Sequence, residues 1–220
     1  MTKMKKLALL PLLCLSLNAI AEEREWLTYK KVTEELRLDK YYAIPAAERD
    51  KLNLFLTVKP QNKSIKPSEV VLTVVDGAER HPLPALSPDF RMAFTPNPKW
   101  LADDAKIMTS LPKTEKSAPG LDIVTPLPEG LQWNYAQVMG SVPQMNQAIK
   151  KMAGAMSMFA PSIKVVIFKF NKPAQLKVDS KVYSTDAKNQ IKLKLDSGLL
   201  KENPLMVASE RPFEAELDGD

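Results

Sequence analysis

Short runs in which every second residue is apolar recur along the chain. Leu52, Leu54, Leu56 and Val58 alternate with polar or second-face residues. This period of two is the mark of a strand with one face on a core. Val70 to Val75 is a β-branched run closed by the turn signal Asp76-Gly77. Phe90, Met92 and Phe94, alternating with Arg91 and Ala93, predict a third strand. Further on, Val165 to Phe170, then Leu176 to Val178, then Ile191, Leu193 and Leu195 with Lys192 and Lys194 between them, predict three more. The lysines give that last strand a solvated face, which fits an antiparallel sheet.

One segment follows a different period. Met145, Ile149, Met152, Met156 and Phe159 are spaced 4, 3, 4 and 3 apart and share one helical face. Ser141 and Gln144 read as a capping box at its start, and Pro161 as its stop. One amphipathic helix is therefore expected at 142–160, with its apolar stripe against a sheet. The corresponding stretch of the first half, Glu34 to Lys51, carries a weaker helical signal interrupted by Pro45.

The strand signals occur twice in the same order. Val75-Asp76-Gly77, Asp89 to Phe94, Leu101 to Asp104 and Ile107 to Ser110 are matched by Val178-Asp179-Ser180, Asn189 to Leu195, Leu200 to Asn203 and Met206 to Ser209. Lys66-Pro67 matches Lys172-Pro173, and Leu27-Thr28-Tyr29 matches Leu131-Gln132-Trp133. Preserved order points to duplication of a unit of roughly a hundred residues. The expected fold is mainly β, a β-rich α+β chain. It is read as two tandem immunoglobulin-like or β-sandwich units, at 22–115 and 130–213. Pro119, Pro126 and Pro128, with Lys113, Lys116, Ser117 and Gly120 around them, make 116–129 read as a semi-rigid linker. Glu214, Glu216, Asp218 and Asp220 make 214–220 read as a solvated acidic tail.

The amino terminus changes how composition is read. Lys3, Lys5 and Lys6 precede the apolar stretch Leu7 to Leu17, and Ala19 and Ala21 supply small residues before a cut. Residues 1–21 thus read as a secretory signal peptide cleaved after Ala21, which implies a periplasmic or secreted protein. The apolar stretch is too short to span a bilayer, which takes about 20 residues, and no later segment is long enough. Cys14, the single cysteine, follows Leu12 and Leu13 instead of small residues, so it reads as part of the apolar core. Its removal leaves no thiol or disulfide chemistry. The chain carries 31 basic and 26 acidic residues; without the three basic residues of the leader the balance is 28 against 26, or +2. A near-neutral chain of interspersed signs gives no footing for nucleic-acid binding, which needs clustered cations.

Candidate chemistry is sparse. His81, the single histidine, is the sole candidate base for a serine triad, and one histidine without cysteine makes no ordinary structural zinc site. Asp103-Asp104 is the nearest to a glycosidase carboxylate pair, but its repeat partner is Glu202-Asn203, which fits a turn or cap. No nucleotide or zincin motif is present. Trp26, Trp100, Trp133 and Tyr135 are candidates for a sugar-stacking platform. Met145, Met152 and Met156 are candidates for an adaptable apolar groove or, through their thioethers, for Cu(I). No catalytic residue, metal or cofactor is assigned. The chain reads as a non-catalytic envelope protein, a binding module or structural adaptor for an envelope protein or glycan, with a carboxylate-based glycan hydrolase as the alternative.

Overall fold

The computed structural model describes residues 23–102 and 105–219; the leader, Cys14, Asp103-Asp104 and Asp220 lie outside the described residues. The chain is mostly β, with three antiparallel sheets and few short helices. Its first half runs β1 (Arg24–Thr28), α1 (Tyr29–Glu35), α2 (Leu38–Tyr42), β2 (Asn53–Pro60), β3 (Leu72–Asp76), β4 (Glu79–Pro82), β5 (Arg91–Ala93), α3 (Pro98–Ala102), β6 (Lys106–Thr109) and β7 (Ser117–Val124). The second half runs β8 (Gln132–Asn134), α4 (Tyr135–Met139), α5 (Ser141–Ala153), β9 (Val165–Lys169), β10 (Gln175–Val178), β11 (Lys181–Ser184), β12 (Gln190–Lys194), α6 (Ser197–Glu202), β13 (Leu205–Ala208) and β14 (Glu214–Asp218). Among the described residues no helix is long and apolar enough to cross a membrane.

Strand order is the same in both halves. One four-stranded sheet is β1-β6-β3-β4, and the other, read from its opposite end, is β8-β13-β10-β11. The remaining strands form one six-stranded sheet, β5-β2-β7-β14-β9-β12, which reads as a palindrome about the β7–β14 junction. Hydrogen bonds repeat as well. The buried Tyr29 hydroxyl accepts from the Asn97 N–H, and the buried Tyr135 hydroxyl from the Asp196 N–H, each at 2.9 Å. Ser110 Oγ accepts from Val71 N at 2.9 Å and Ser209 Oγ from Gln175 N at 2.8 Å. Phe90 and Asn189 hold φ of 60° and 56° at matching corners.

These matches shift the expected alignment by one or two residues. Tyr29 corresponds to Tyr135 instead of Trp133, and the register of β1 on β6 and of β8 on β13 gives the same match, with Leu27 opposite Ile107 as Trp133 is opposite Met206. The pairing also departs from a constant-type immunoglobulin sheet order. With strands counted within each half, the first pairs the sixth and the seventh pairs the second. In the immunoglobulin order those end strands lie on the opposite sheets. Here the seventh strand lies in the central sheet with one side available, and the two halves join through it.

Two sequence expectations fail at that junction. Ser117–Val124, read as linker, pairs with β2 along its whole length, from Pro60↔Ser117 to Asn53↔Val124. Pro119 is accommodated because β14 pairs with β7 at the Val124 end, leaving the proline on an unladdered side. Gly120 allows close approach, since a Cβ there would stand 2.6 Å from Thr57 Oγ1. Glu214–Asp218, read as a tail, is β14, between β7 and β9. Its Glu-Ala-Glu-Leu-Asp alternation puts Ala215 and Leu217 inward and the acidic residues outward.

Each four-stranded sheet covers its own half of the central sheet. Tyr29, Leu56, Val74 and Ile107 belong to one core, Trp133, Phe168, Leu176 and Met206 to the other, and Leu217 packs against both. On the outer face a charge network crosses the junction. Arg91 pairs with Glu214 and, at 2.6 Å, with Asp122; Lys169 reaches Glu214 at 2.8 Å and Glu216 at 2.5 Å. Burial pushes the Glu214 carboxyl up, but hydrogen bonds from Arg91 and Lys169 and their charges outweigh it and hold it below its ordinary 4.5. For a lowered carboxyl, the stabilisation is whole above the unfolded value and is lost as pH falls through the folded one. Glu214→Gln should therefore cost about 1–2 kcal/mol at neutral pH. In urea unfolding the gap from wild type should close as pH is lowered below 4.5.

Candidate functional site

The aromatic candidates do not form a surface. Trp26, Trp133 and Tyr135 are 8 %, 1 % and 0 % exposed. Trp26 Nε1 donates to Ser117 O and Trp133 Nε1 to Glu129 O, so each indole N–H is satisfied as its ring is buried. Trp100 is half-buried, edge-on to Tyr29 at 5.3 Å and tilted against His81 at 5.1 Å. A sugar platform needs open ring faces, and three of the four rings have none.

His81 lies on β4 with Glu79 Oε2 3.3 Å from its Nε2. Asp76, Glu79 and His81 bring one ligand atom each within 4.8 Å of one another. Lys99 stands 3.3 Å from Asp76 and 3.7 Å from Glu79, so the chain supplies its own cation there. Among the described residues no hydroxyl is hydrogen-bonded to His81, and a serine triad is not assembled around it.

Two larger concavities flank the central sheet. On the outer face lies a space of about 880 Å³ lined in part by Phe55, Leu86, Arg91, Phe213 and Glu214. Its walls mix polar and apolar side chains, and Arg91 and Glu214 there are committed to each other. The inner-face groove, about 560 Å³, is different in chemistry. Its roof is Met145, Ile149, Met152 and Met156 from α5 and the turn after it, and its floor is Leu121, Ile123 and Leu217 from β7 and β14.

The helix is held over the sheet by polar side chains. Ser141 is wholly buried; its Oγ donates to Val138 O and accepts from Thr125 Oγ1, each at 2.7 Å. The expected Ser141–Gln144 capping box is not formed, because Gly140 is the N-cap and Gln144 Oε1 accepts from Lys51 N at 2.9 Å. Asn146 clamps Ile163 both ways: its Nδ2 donates to Ile163 O and its Oδ1 accepts from Ile163 N, each at 2.8 Å. Lys151 meets Glu48 of the first half at 2.6 Å. The Gln144 and Lys151 contacts bridge the halves, and the apolar stripe lines the groove from above.

The helix is shorter than expected. Gly154, at φ 56°, ends α5, and a 3-10 turn carries Gly154–Phe159 onward before Pro161 is reached. Met156, Met158 and Phe159 are consequently 63 %, 80 % and 75 % exposed. Met145 and Met152 are half-buried at the edge of the first core. Sequence reasoning thus placed Met145, Met152 and Met156 on one site, and it missed the floor. Leu121, Ile123 and Leu217 were hidden in stretches read as linker and tail, although Leu121 and Ile123 alternate as strand residues do.

Fold and site together define a mostly β, sandwich-like protein with an open apolar groove beneath one helix. No protein family, curated protein or solved structure matches the chain.

Exposure separates these side chains energetically. Trp133→Ala should destabilise by about 3–5 kcal/mol, as buried aromatic truncations do. Met156→Ala should change stability by no more than about 0.5 kcal/mol. Paired denaturant titrations check both; a large loss at Met156 would place it in a core.

Proposed function

We propose that this chain is an extracytoplasmic, non-catalytic binding protein whose site is the groove between α5 and the β7–β14 floor. One observation carries the reading. Apolar side chains from both halves line an open space that neither hydrophobic core fills. Methionine supports it, because its unbranched, polarisable side chain adapts to varied apolar occupants. The occupant favoured is apolar instead of glycan, since the aromatic rings are buried. Copper gains less support, because the three methionines share the walls with Ile149, Leu121, Ile123 and Leu217. The hydrolase alternative loses ground because Asp122, Glu214 and Glu216 are all ion-paired.

The neutral probe N-phenyl-1-naphthylamine tests the site. Its emission should rise and saturate with the wild-type protein. Ile149→Glu, which sets a carboxylate among hydrocarbon walls, should abolish the rise without changing the circular dichroism spectrum. An unchanged response in that variant would remove the groove from consideration.

The two halves are read as copies of one ancestral, immunoglobulin-related unit whose first and last strands have exchanged sheets. The shared second–fifth and third–sixth strand pairings support this. Export rests on the leader pattern, Lys3 to Ala21. Intact-mass measurement of the protein recovered from a bacterial host should give a chain beginning at Glu22; retention of Met1 would refute cleavage.

A further inference from the structure

We propose that the groove binds a single-chain fatty acid as its anion, with the hydrocarbon tail along the methionine wall and the carboxylate on Arg37; this rests on the groove being a binding site. Arg37 lines the same space as Met145, Ile149 and Leu217. It sits between α1 and α2, exposed, at φ 56°, a left-handed conformation uncommon outside glycine and asparagine. Local hydrogen bonds hold it there: Arg37 N donates to Glu34 O at 3.1 Å, and Arg37 O accepts from Tyr41 N at 3.0 Å. Among the described residues its guanidinium has no ion-pair partner.

The other charges near the groove are already matched. Asp122 and Glu216 contribute to the lining, yet their carboxylates bind Arg91 and Lys169 at 2.6 Å and 2.5 Å. Register places both on the outer face of the sheet, opposite to Leu121, Ile123 and Leu217. One guanidinium therefore stands at an apolar groove without a counter-charge. A ligand complementary to that surface has a hydrocarbon body and one anionic end. A carboxylate suits it, because guanidinium and carboxylate can form two parallel hydrogen bonds. The volume, about 560 Å³, falls within the range of pockets that enclose small organic ligands. Met156, at 63 % exposure, extends the wall into solvent.

The test uses the full chain and displacement of N-phenyl-1-naphthylamine by palmitate or by hexadecanol, which has the same tail length and no charge. Palmitate should displace the probe at a concentration about tenfold lower than hexadecanol, the worth of a charge-assisted contact. Arg37→Asn, a residue that tolerates the left-handed backbone, should remove that advantage and leave hexadecanol unchanged; Arg37→Lys should keep part of it. Equal displacement by the two ligands with wild-type protein overturns the carboxylate assignment without using any variant. A probe that binds but yields to neither ligand overturns the fatty-acid assignment and leaves the groove reading standing. So does displacement by an amphipathic helical peptide and not by palmitate. Absence of probe binding refutes both.

Discussion

The hydrogen-bonded junction between β7 and β14 is the constraint on which the rest of the molecule depends. It is short: Val124 pairs with Glu216, and Thr125 N donates to Ala215 O at 2.9 Å. Each half brings to it a strand already paired on the other side, with β2 or with β9. Unpaired, either strand would be an exposed sheet edge, a template for uncontrolled association. Joining the two edges at this point makes one central sheet, and the rest of β7 keeps an unladdered side that carries Pro119. Arg91, Glu214 and Lys169 then tie the outer face together, and Leu217 contributes to both cores.

The two halves share a strand order, and one helix breaks that symmetry. The first half answers α5 with the short α2 and a single 3-10 turn, Ala46–Glu48. α5 is long enough to cross the junction, and its polar side chains are anchored on Lys51 and Glu48 of the first half. The opening beneath it follows from that span. A helix clamped at its polar sides holds its apolar stripe above the sheet, and nothing from either core fills the intervening space.

Many of the charged residues are committed to one another. Active sites tend to hold titratable groups in poised, perturbed states. Here the lowered carboxyl of Glu214 and the raised amine of Lys169 stabilise each other, with burial opposing the ionised form of both. Asp76 and Glu79 share Lys99. Tyr29 and Tyr135 are raised mainly by burial and serve as acceptors for the N-termini of α3 and α6. The one guanidinium at the groove stands apart from this pattern of internal satisfaction.

Local pattern was enough for much of the fold. Period-two alternation identified β2, β5 and β12, because a strand with one buried face must alternate, and short apolar or β-branched runs identified β3, β9 and β10. Repeated order revealed two similar halves, and the 3-4 spacing from Met145 to Phe159 located α5 and the groove's roof. Tertiary structure decided what those patterns packed against. Pro119 and the acidic run Glu214 to Asp218 looked like linker and tail because composition registers solvation and cannot register a partner strand. Whether Trp133 is core or platform, and whether Met156 is buried or open, depends on surfaces brought together from both halves. The sequence by itself determined a β-rich chain with one amphipathic helix. Only the pairing of β7 with β14, a contact between residues far apart in the chain, decided that the halves share a sheet and that a groove lies over it.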